Sequence, residues 1–134
     1  MVDDSNLDYI VTFLGKCHTT ATVNSYTTIK NINFINDTER ILVYPPEIIS
    51  VDNNHYVERY MVKLSEVDEA GILGMRNDII DNIIKLNTRQ TIAAYTRETT
   101  LLYAEIMHSN KAFEHGTTKR WEQDLFIDFT FSTS

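Results

Sequence analysis

The stretch between Arg40 and Asn87 constrains the fold more than any other part of the chain. It begins with the apolar run Ile41–Tyr44, which ends at a diproline and predicts a short buried strand, because proline donates no ladder hydrogen bond. A second run, Tyr56–Leu64, alternates apolar and polar residues, as a strand with one buried face does. An amphipathic helical pattern follows over Ile72–Leu86. Strand, turn, strand and helix therefore form the framework to which both ends of the chain attach.

The side-chain pattern within this framework predicts which residues face the core. In the second strand the predicted core residues are Tyr60, Val62 and Leu64, and the predicted outward residues are His55, Arg59 and Lys63. In the helix one apolar row is formed by Ile72, Met75, Ile79 and Ile83, and it is widened by Ile80, Ile84 and Leu86.

The segments before and after the framework are less regular. Leu7, Ile10, Val11 and Leu14 have the spacing of one helix face and predict a first helix over Asn6–Leu14, with a strand as the alternative because of its β-branched residues. The polar segment Lys16–Asp37 is interpreted as a loop with one weak strand, Tyr26–Phe34. Thr88–Thr99 is interpreted either as a continuation of the helix or as a surface excursion.

Two further strands are predicted near the C-terminus. The first begins at Leu101 and turns Leu102, Ala104 and Ile106 to one face. The second, Trp121–Phe131, has the cleanest alternation in the chain and is expected to be an edge strand. Ser109–Thr118 would be a long, mobile hairpin loop between them. Four side chains of the second strand are predicted to point to the core: Leu125, Ile127, Phe129 and Phe131.

These elements give the order α-β-β-α-β-β. With two antiparallel hairpins and two helices on one face of the sheet, the sequence predicts a two-layer α+β sandwich. The chain of 134 residues suits a single domain over residues 1–134.

Charge and composition exclude several classes of function. The formal net charge is −7, and the densest basic cluster is the pair Lys119 and Arg120, whereas gripping nucleic-acid phosphates needs several basic groups on one face. We therefore expect no tight nucleic-acid binding. No apolar run is long enough to span a bilayer and the N-terminus does not resemble a signal peptide, so we expect a protein kept inside a cell, without membrane contact.

Residues with catalytic or metal-binding chemistry are present but do not form a motif. None of His18, His55, His108 and His115 pairs with another at zinc-ligand spacing, although His108 and His115 flank the hairpin loop. Cys17 beside His18 is interpreted as a partly buried, inert thiol. Glu66, Asp68 and Glu69 are interpreted as a solvated lead-in to the second helix. Because phosphate-binding, nucleophile-elbow and zincin motifs are also absent, the sequence predicts neither an enzyme nor a cofactor.

The stretch Ile41–Leu86 resembles small tail-terminator, or tail-completion, proteins of tailed phages and related proviruses. The resemblance is carried by the runs ILVYPP (41–46), HYVERYMVKL (55–64) and RNDIIDNIIKL (76–86), and by the closing strand RWEQDLFIDFTF (120–131). Lys16–Asp37 and Thr88–Thr99 fit it less well. The resemblance implies a non-enzymatic virion protein that forms a ring, commonly a hexamer. Such a ring caps the tail tube and meets the head-side connector, and it assembles in the host cytoplasm before joining the virion tail.

The sequence also predicts where a ring would be held together. The Ser109–Thr118 loop and its flanking strands would carry part of the subunit interface, because so long a polar loop exceeds a simple turn. The candidate interface residues are Lys111, Phe113, Lys119, Arg120 and Trp121. Two alternatives stay open: an adaptor that adds a peptide strand at its sheet edge, and a small enzyme or ligand-binding domain. The latter would use a pocket between helices and sheet, with His55, Glu58, Arg59 and Asp68 as its nearest polar groups.

Overall fold

The computed structural model describes residues 4–25, 39–88, 101–117 and 119–132. Within them the chain forms two helices and one seven-stranded, mainly antiparallel sheet, which confirms the α+β class. The elements in chain order are α1 (Asp4–Cys17), β1 (Thr22–Ser25), β2 (Glu39–Val43), β3 (Glu47–Val51), β4 (His55–Glu66), α2 (Glu69–Asn87), β5 (Leu101–Ser109), β6 (Phe113–Glu114) and β7 (Trp121–Ser132).

The sheet is organised around two long strands, β4 and β7, which pair along their whole length from His55–Ser132 to Glu66–Trp121. The edge of β4 that faces away from β7 is shared by two short strands, because the diproline interrupts the chain between them. β2 pairs with the second half of β4 and β3 with the first half. The edge of β7 that faces away from β4 is shared in the same way by β5 and β6. β1 then adds to β2 in parallel.

The expectation that the last strand forms an edge is wrong. β7 lies between β4 and β5, and the outermost long strand on that side is β5. The alternation in residues 121–131 reports which side chains face the core. It carries no information about how many neighbours the strand has.

The core lies between the helices and one face of the sheet. All four predicted inward residues of β7 are buried, as are the predicted core residues Tyr60, Val62 and Leu64 of β4. The Phe129 ring makes edge-to-face contacts with the rings of Phe13 on α1 and Tyr60 on β4, at centroid distances of 6.0 and 5.5 Å. These contacts join helix layer and sheet directly.

The second helix buries the predicted row Ile72, Met75, Ile79 and Ile83 together with Leu86. Ile84 was expected to widen this row, but its side chain is 52% exposed. The helix is longer than the apolar pattern because Asp68 caps it: the Asp68 carboxylate accepts a hydrogen bond from the Gly71 backbone N–H at 2.7 Å.

Glu66 does not lie in a solvated lead-in, as the sequence predicted; it is 3% exposed. Its carboxylate accepts a hydrogen bond from the backbone N–H of Val67 at 2.7 Å. A side chain at Gly71 would collide with the Glu66 side chain, since a Cβ there would lie 1.9 Å from Glu66 Cγ. The absence of a side chain at Gly71 therefore makes room for a buried carboxylate at the start of α2.

The first helix is confirmed and extends to Cys17, one turn beyond the predicted end, so the strand alternative is wrong. β1 lies in the segment interpreted as a loop. The weak strand Tyr26–Phe34 and the excursion after Thr88 fall outside the described residues. No helix in the described part of the chain is both long and apolar enough to cross a membrane.

Candidate interaction surfaces

The outer edge of β5 faces no other described strand. At one point it is met by a side chain instead: the Asn87 amide, at the end of α2, donates to the Ala104 carbonyl at 2.7 Å and accepts from the Ala104 N–H at 2.9 Å. Asn87 thus imitates one residue of a neighbouring strand and fixes the distance between helix and edge. It covers a single residue of β5.

An apolar groove of about 340 Å³ runs beside this edge, between α2 and β5. Its walls include Ile80, Ile83 and Ile84 from the helix, and Tyr103 and Ile106 from the strand. Ile84 and Tyr103 are exposed. The volume lies near the lower end of the range for small-molecule pockets, but few polar groups converge in the groove to orient a ligand.

The opposite edge of the sheet carries β3, which the sequence pattern did not reveal. All five of its residues are exposed, and β4 is its only partner among the described strands. Ile48, Ile49 and Val51 present large apolar side chains there, and Val51 is 67% exposed. Proteins usually protect such edges with charged residues or proline. Of the five β3 residues Glu47 is charged and Ser50 is polar, and the other three are apolar.

The predicted interface loop is fastened to β7 rather than extending freely. Asn110 exchanges hydrogen bonds with Asp124: its side-chain oxygen accepts from the Asp124 N–H at 2.9 Å, and its own N–H donates to the Asp124 carbonyl at 3.3 Å. The Gln123 side chain also donates to the Asn110 carbonyl at 2.8 Å. The short strand β6 then pairs with the start of β7.

The five candidate interface residues are placed differently. Lys111, Phe113 and Lys119 are exposed, and Trp121 is half-buried. Arg120 is only 5% exposed, and its Nε donates to the Ser65 hydroxyl at 2.8 Å. Burial lowers the pKa of Arg120, although the nearby carboxylates of Glu66 and Glu122 act in the opposite direction. Arg120 therefore makes its described contacts within its own subunit, and its place in an interface stays a prediction.

A polar cluster at the end of α1 was only partly visible in the sequence. His18 lies between two carboxylates: its Nε2 is 2.5 Å from Glu39 Oε2, and its Nδ1 is 2.6 Å from Asp78 Oδ2. The Thr20 hydroxyl donates to the second Glu39 oxygen and lies 3.1 Å from His18 Nε2. The cluster links α1, β2 and α2.

The surroundings of this cluster favour the charged forms of His18 and Glu39. Burial alone would lower the pKa of His18, but hydrogen bonds and attraction to Asp78 and Glu39 outweigh it and raise the pKa above 6.5. Burial would raise the pKa of Glu39, but bonds from Thr20 and His18 lower it. An Asp–His–Thr arrangement is reminiscent of a nucleophile with its base. However, a base needs a free lone pair, and Glu39 occupies the position beside Nε2. The arrangement is suited to holding α1, β2 and α2 together.

Cys17 is buried beside this cluster. Burial, and secondarily the charge of Asp78, raises the pKa of its thiol to about 12. A thiol reacts as the thiolate, so this cysteine is inert at neutral pH, as the sequence predicted.

The polar groups of the alternative ligand pocket do not converge. Glu58 is buried and accepts from the Tyr60 hydroxyl at 2.9 Å on the helix side, whereas Arg59 pairs with Asp128 at 2.7 Å on the opposite side of the sheet. His55 pairs with Asp52 at 3.0 Å in the turn before β4. Asp68 caps α2 beyond the other end of the strand.

The two histidines that flank the hairpin loop, His108 and His115, each have contacts of their own. The His108 ring lies 6.0 Å from the Phe126 ring, and His115 Nδ1 accepts from the Thr117 N–H at 3.3 Å. In the described ranges no group of three or more His, Cys, Asp or Glu side chains is arranged to hold a metal ion.

Comparison with known proteins gives a fold relationship. No protein-family model and no curated protein sequence matches the chain. Among solved structures, the chain is similar to one from the virion of a native gene transfer agent particle, with a TM-score of 0.55 and 11% sequence identity. The alignment covers 89% of this chain and 84% of that one. At this identity the similarity shows a shared fold, and a fold alone does not determine a function.

Proposed function

We propose that this protein is a non-enzymatic virion structural protein that self-associates into a ring at the end of a phage-type tail. The ring would cap the tail tube and join it to the head-side connector. The observation that carries this proposal is the fold shared, over most of both chains, with a chain of a gene transfer agent virion. The subunit would be made in the host cytoplasm and act in the virion tail.

The surface of the subunit supports assembly. The described residues include nine large apolar side chains that are exposed, and six of them lie on three strands at the sheet margins: Ile48, Ile49, Val51, Tyr103, Met107 and Phe113. Apolar side chains concentrated on open strand edges are typical of surfaces that another chain covers. An active site would instead concentrate polar groups in a concave pocket.

The charge of the chain supports a position around passing DNA. A formal net charge of −7 repels a polyanion, so DNA would move through such a ring without adhering to it. The partners proposed are therefore further copies of the chain, a tail-tube protein and a connector protein.

The test is assembly of the purified chain, alone and with a tail-tube protein encoded in the same genome. Light scattering after size-exclusion chromatography would follow a concentration series, and electron microscopy would show the ends of the tubes. We expect a closed ring, in solution or as a cap on the tubes. The resemblance to tail-terminator proteins implies about six copies. A chain that stays monomeric in solution and leaves tube ends bare would refute the proposal.

A further inference from the structure

We propose that Glu39 and Glu66 share one proton at the junction of β2, β4 and α2, and that loss of this proton as the pH rises opens the junction. The pair lies within one subunit, so the proposal is independent of ring formation. It gives a role to the buried carboxyl group of Glu66, which none of the surfaces described above uses.

The two carboxyl groups are brought together by the register of the strands. Glu39 and Glu66 are a direct pair in the antiparallel ladder of β2 and β4, so their side chains lie side by side on one face of the sheet. Tyr60, Val62 and Leu64, at alternate positions of β4 before Glu66, are buried on that face, which is the helix side. The two carboxyl groups are hydrogen-bonded to each other. Because an ionised carboxylate only accepts hydrogen bonds, this bond needs a proton on one of them.

The surroundings of the pair place the proton on Glu66. Both oxygens of Glu39 are engaged elsewhere: the Thr20 hydroxyl donates to Oε1, and His18 Nε2 lies 2.5 Å from Oε2. These contacts favour the carboxylate form of Glu39. Glu66 is 3% exposed, and its Oε1 accepts from the Val67 N–H at 2.7 Å. Its other oxygen can therefore carry the proton and donate to Glu39.

Charged and titratable groups face the pair from every element around the junction. Besides the two glutamates they are His18 at the end of α1, Asp68 before α2, Asp78 on α2 and Arg120 before β7. Arg120 attracts an ionised Glu66, whereas Glu39 and Asp68 repel it. Burial is the largest influence, and together with this repulsion it raises the pKa of Glu66 above 4.5, although a backbone hydrogen bond acts in the opposite direction.

Loss of the proton replaces the hydrogen bond with a repulsion. Two carboxylates would then lie opposite each other on β2 and β4, and like charges in this position destabilise a sheet. The same repulsion acts on α2, because the Glu66 side chain occupies space that Gly71 leaves free in the first turn of the helix. We therefore expect the start of β2, the end of β4 and the first turn of α2 to loosen together.

Glu66→Gln tests the shared proton. The amide keeps a donor for Glu39 and an acceptor for the Val67 N–H, but it cannot ionise. A raised pKa in the folded state contributes stability that is full below the ordinary value of 4.5 and is lost as the pH rises through the folded-state value. The variant has no such loss. Urea denaturation over a pH series should therefore show the unfolding constant of the wild type rising relative to that of the variant, by up to about tenfold per pH unit.

Glu69→Gln is the matched control. It removes the same charge from an exposed position in the first turn of α2. Above pH 4.5 its difference from the wild type should stay constant. Hydrogen exchange, corrected for the intrinsic effect of pH, then locates the opening. In the wild type, protection should fall with rising pH at the start of β2 and the first turn of α2 before it falls at the centre of β7, and in Glu66→Gln it should not.

Two results would overturn the proposal. A difference between Glu66→Gln and the wild type that does not change above pH 4.5 would mean that Glu66 is ionised in the folded protein. A uniform loss of protection over the whole sheet would mean that the proton does not control this junction. If the variant does not fold, ¹³C NMR of the side-chain carboxyl carbons in the wild type decides instead. The proposal requires the Glu66 carbon to titrate above 4.5, and titration at or below that value contradicts it.

Discussion

The two faces of the sheet are built from alternate residues of the same strands. One face is covered by the helices and carries buried aromatic side chains, whereas the other carries ion pairs. On the helix side Tyr60 of β4 and Phe129 of β7 are fully buried. On the other side Arg59 donates two hydrogen bonds to Asp128, at 2.7 and 3.1 Å. Lys63 Nζ lies 3.5 Å from Glu122 Oε1 and 3.6 Å from Asp124 Oδ1.

This difference indicates where the folding free energy comes from. Burial of apolar surface under the helices stabilises the sheet strongly. The ion pairs on the other face, here called the charged rows, each add little to the folding free energy, because water competes with partly exposed ion pairs. The charged rows instead keep this face polar. They also place opposite charges on neighbouring strands, which favours the observed pairing of β4 with β7. The apolar character of the β3 edge is therefore not a general property of the sheet surface.

The largest expected effect is from Phe129→Ala. The substitution leaves a cavity between Phe13 and Tyr60, which both contact the Phe129 ring, and we expect it to cost about 3–5 kcal/mol of unfolding free energy. Urea denaturation measures this. The matched control is Thr130→Ala, one residue along β7 on the other face, with an expected cost of about 1 kcal/mol or less. Equal costs at both positions would contradict the contrast between the faces.

A smaller effect, dependent on pH, is expected from His18→Gln. The raised pKa of His18 contributes stability that is full below its ordinary value of 6.5 and is lost as the pH rises through the folded-state value. The lowered pKa of Glu39 contributes stability above its ordinary value of 4.5, and this is lost as the pH falls through the folded-state value. The wild type should therefore exceed the variant most between these two ordinary values, by roughly 1–2 kcal/mol from the lost charged hydrogen bonds.

Urea midpoints measured over a pH series would show this difference. Asn82→Ala on α2 is the control, since it removes a hydrogen bond to the Asp78 carbonyl but no titrating group. Its difference from the wild type should not change with pH. A His18→Gln difference that grows from pH 6.5 upward would show that the imidazole is held neutral.

The sequence predicts the buried face well because a period of two or 3.6 residues directly records which side of an element is covered. That is why Tyr60, Phe129 and the α2 row were assigned correctly. β3 was missed because it is short and exposed at every residue, so it has no alternation to detect. Glu66 was misplaced because a carboxylate before a helix is usually solvated. The one available signal was Gly71, which leaves space for the Glu66 side chain.

The candidate surfaces were harder to predict than the core. An open edge is a property of strand order, and the pattern of a single strand does not specify its neighbours. The sequence therefore placed β7 at the edge, whereas it lies between β4 and β5. The interface predicted around the 109–118 loop stays a prediction. Arg120 was assigned to that interface by its charge, whereas its guanidinium turns inward to Ser65. The exposure of Lys111, Phe113 and Lys119 agrees with the prediction and leaves their role in an interface to the assembly experiments.

The smallest expected effect concerns the charged rows, and it sharpens the contrast between the faces most directly. Lys63 and Asp124 lie opposite each other on β4 and β7, and their side chains are 23% and 25% exposed. Burial would lower the pKa of Lys63, but attraction to Asp124 and Glu122 outweighs it and raises the pKa. A double-mutant cycle with Lys63→Gln and Asp124→Asn should give a coupling of about 0.2–1 kcal/mol, typical of cross-strand ion pairs. Because the pair is partly exposed, added salt should reduce the coupling. A coupling that equals the cost of Phe129→Ala and does not respond to salt would mean that this face is buried in the folded subunit. The two faces would then contribute equally to the free energy of unfolding.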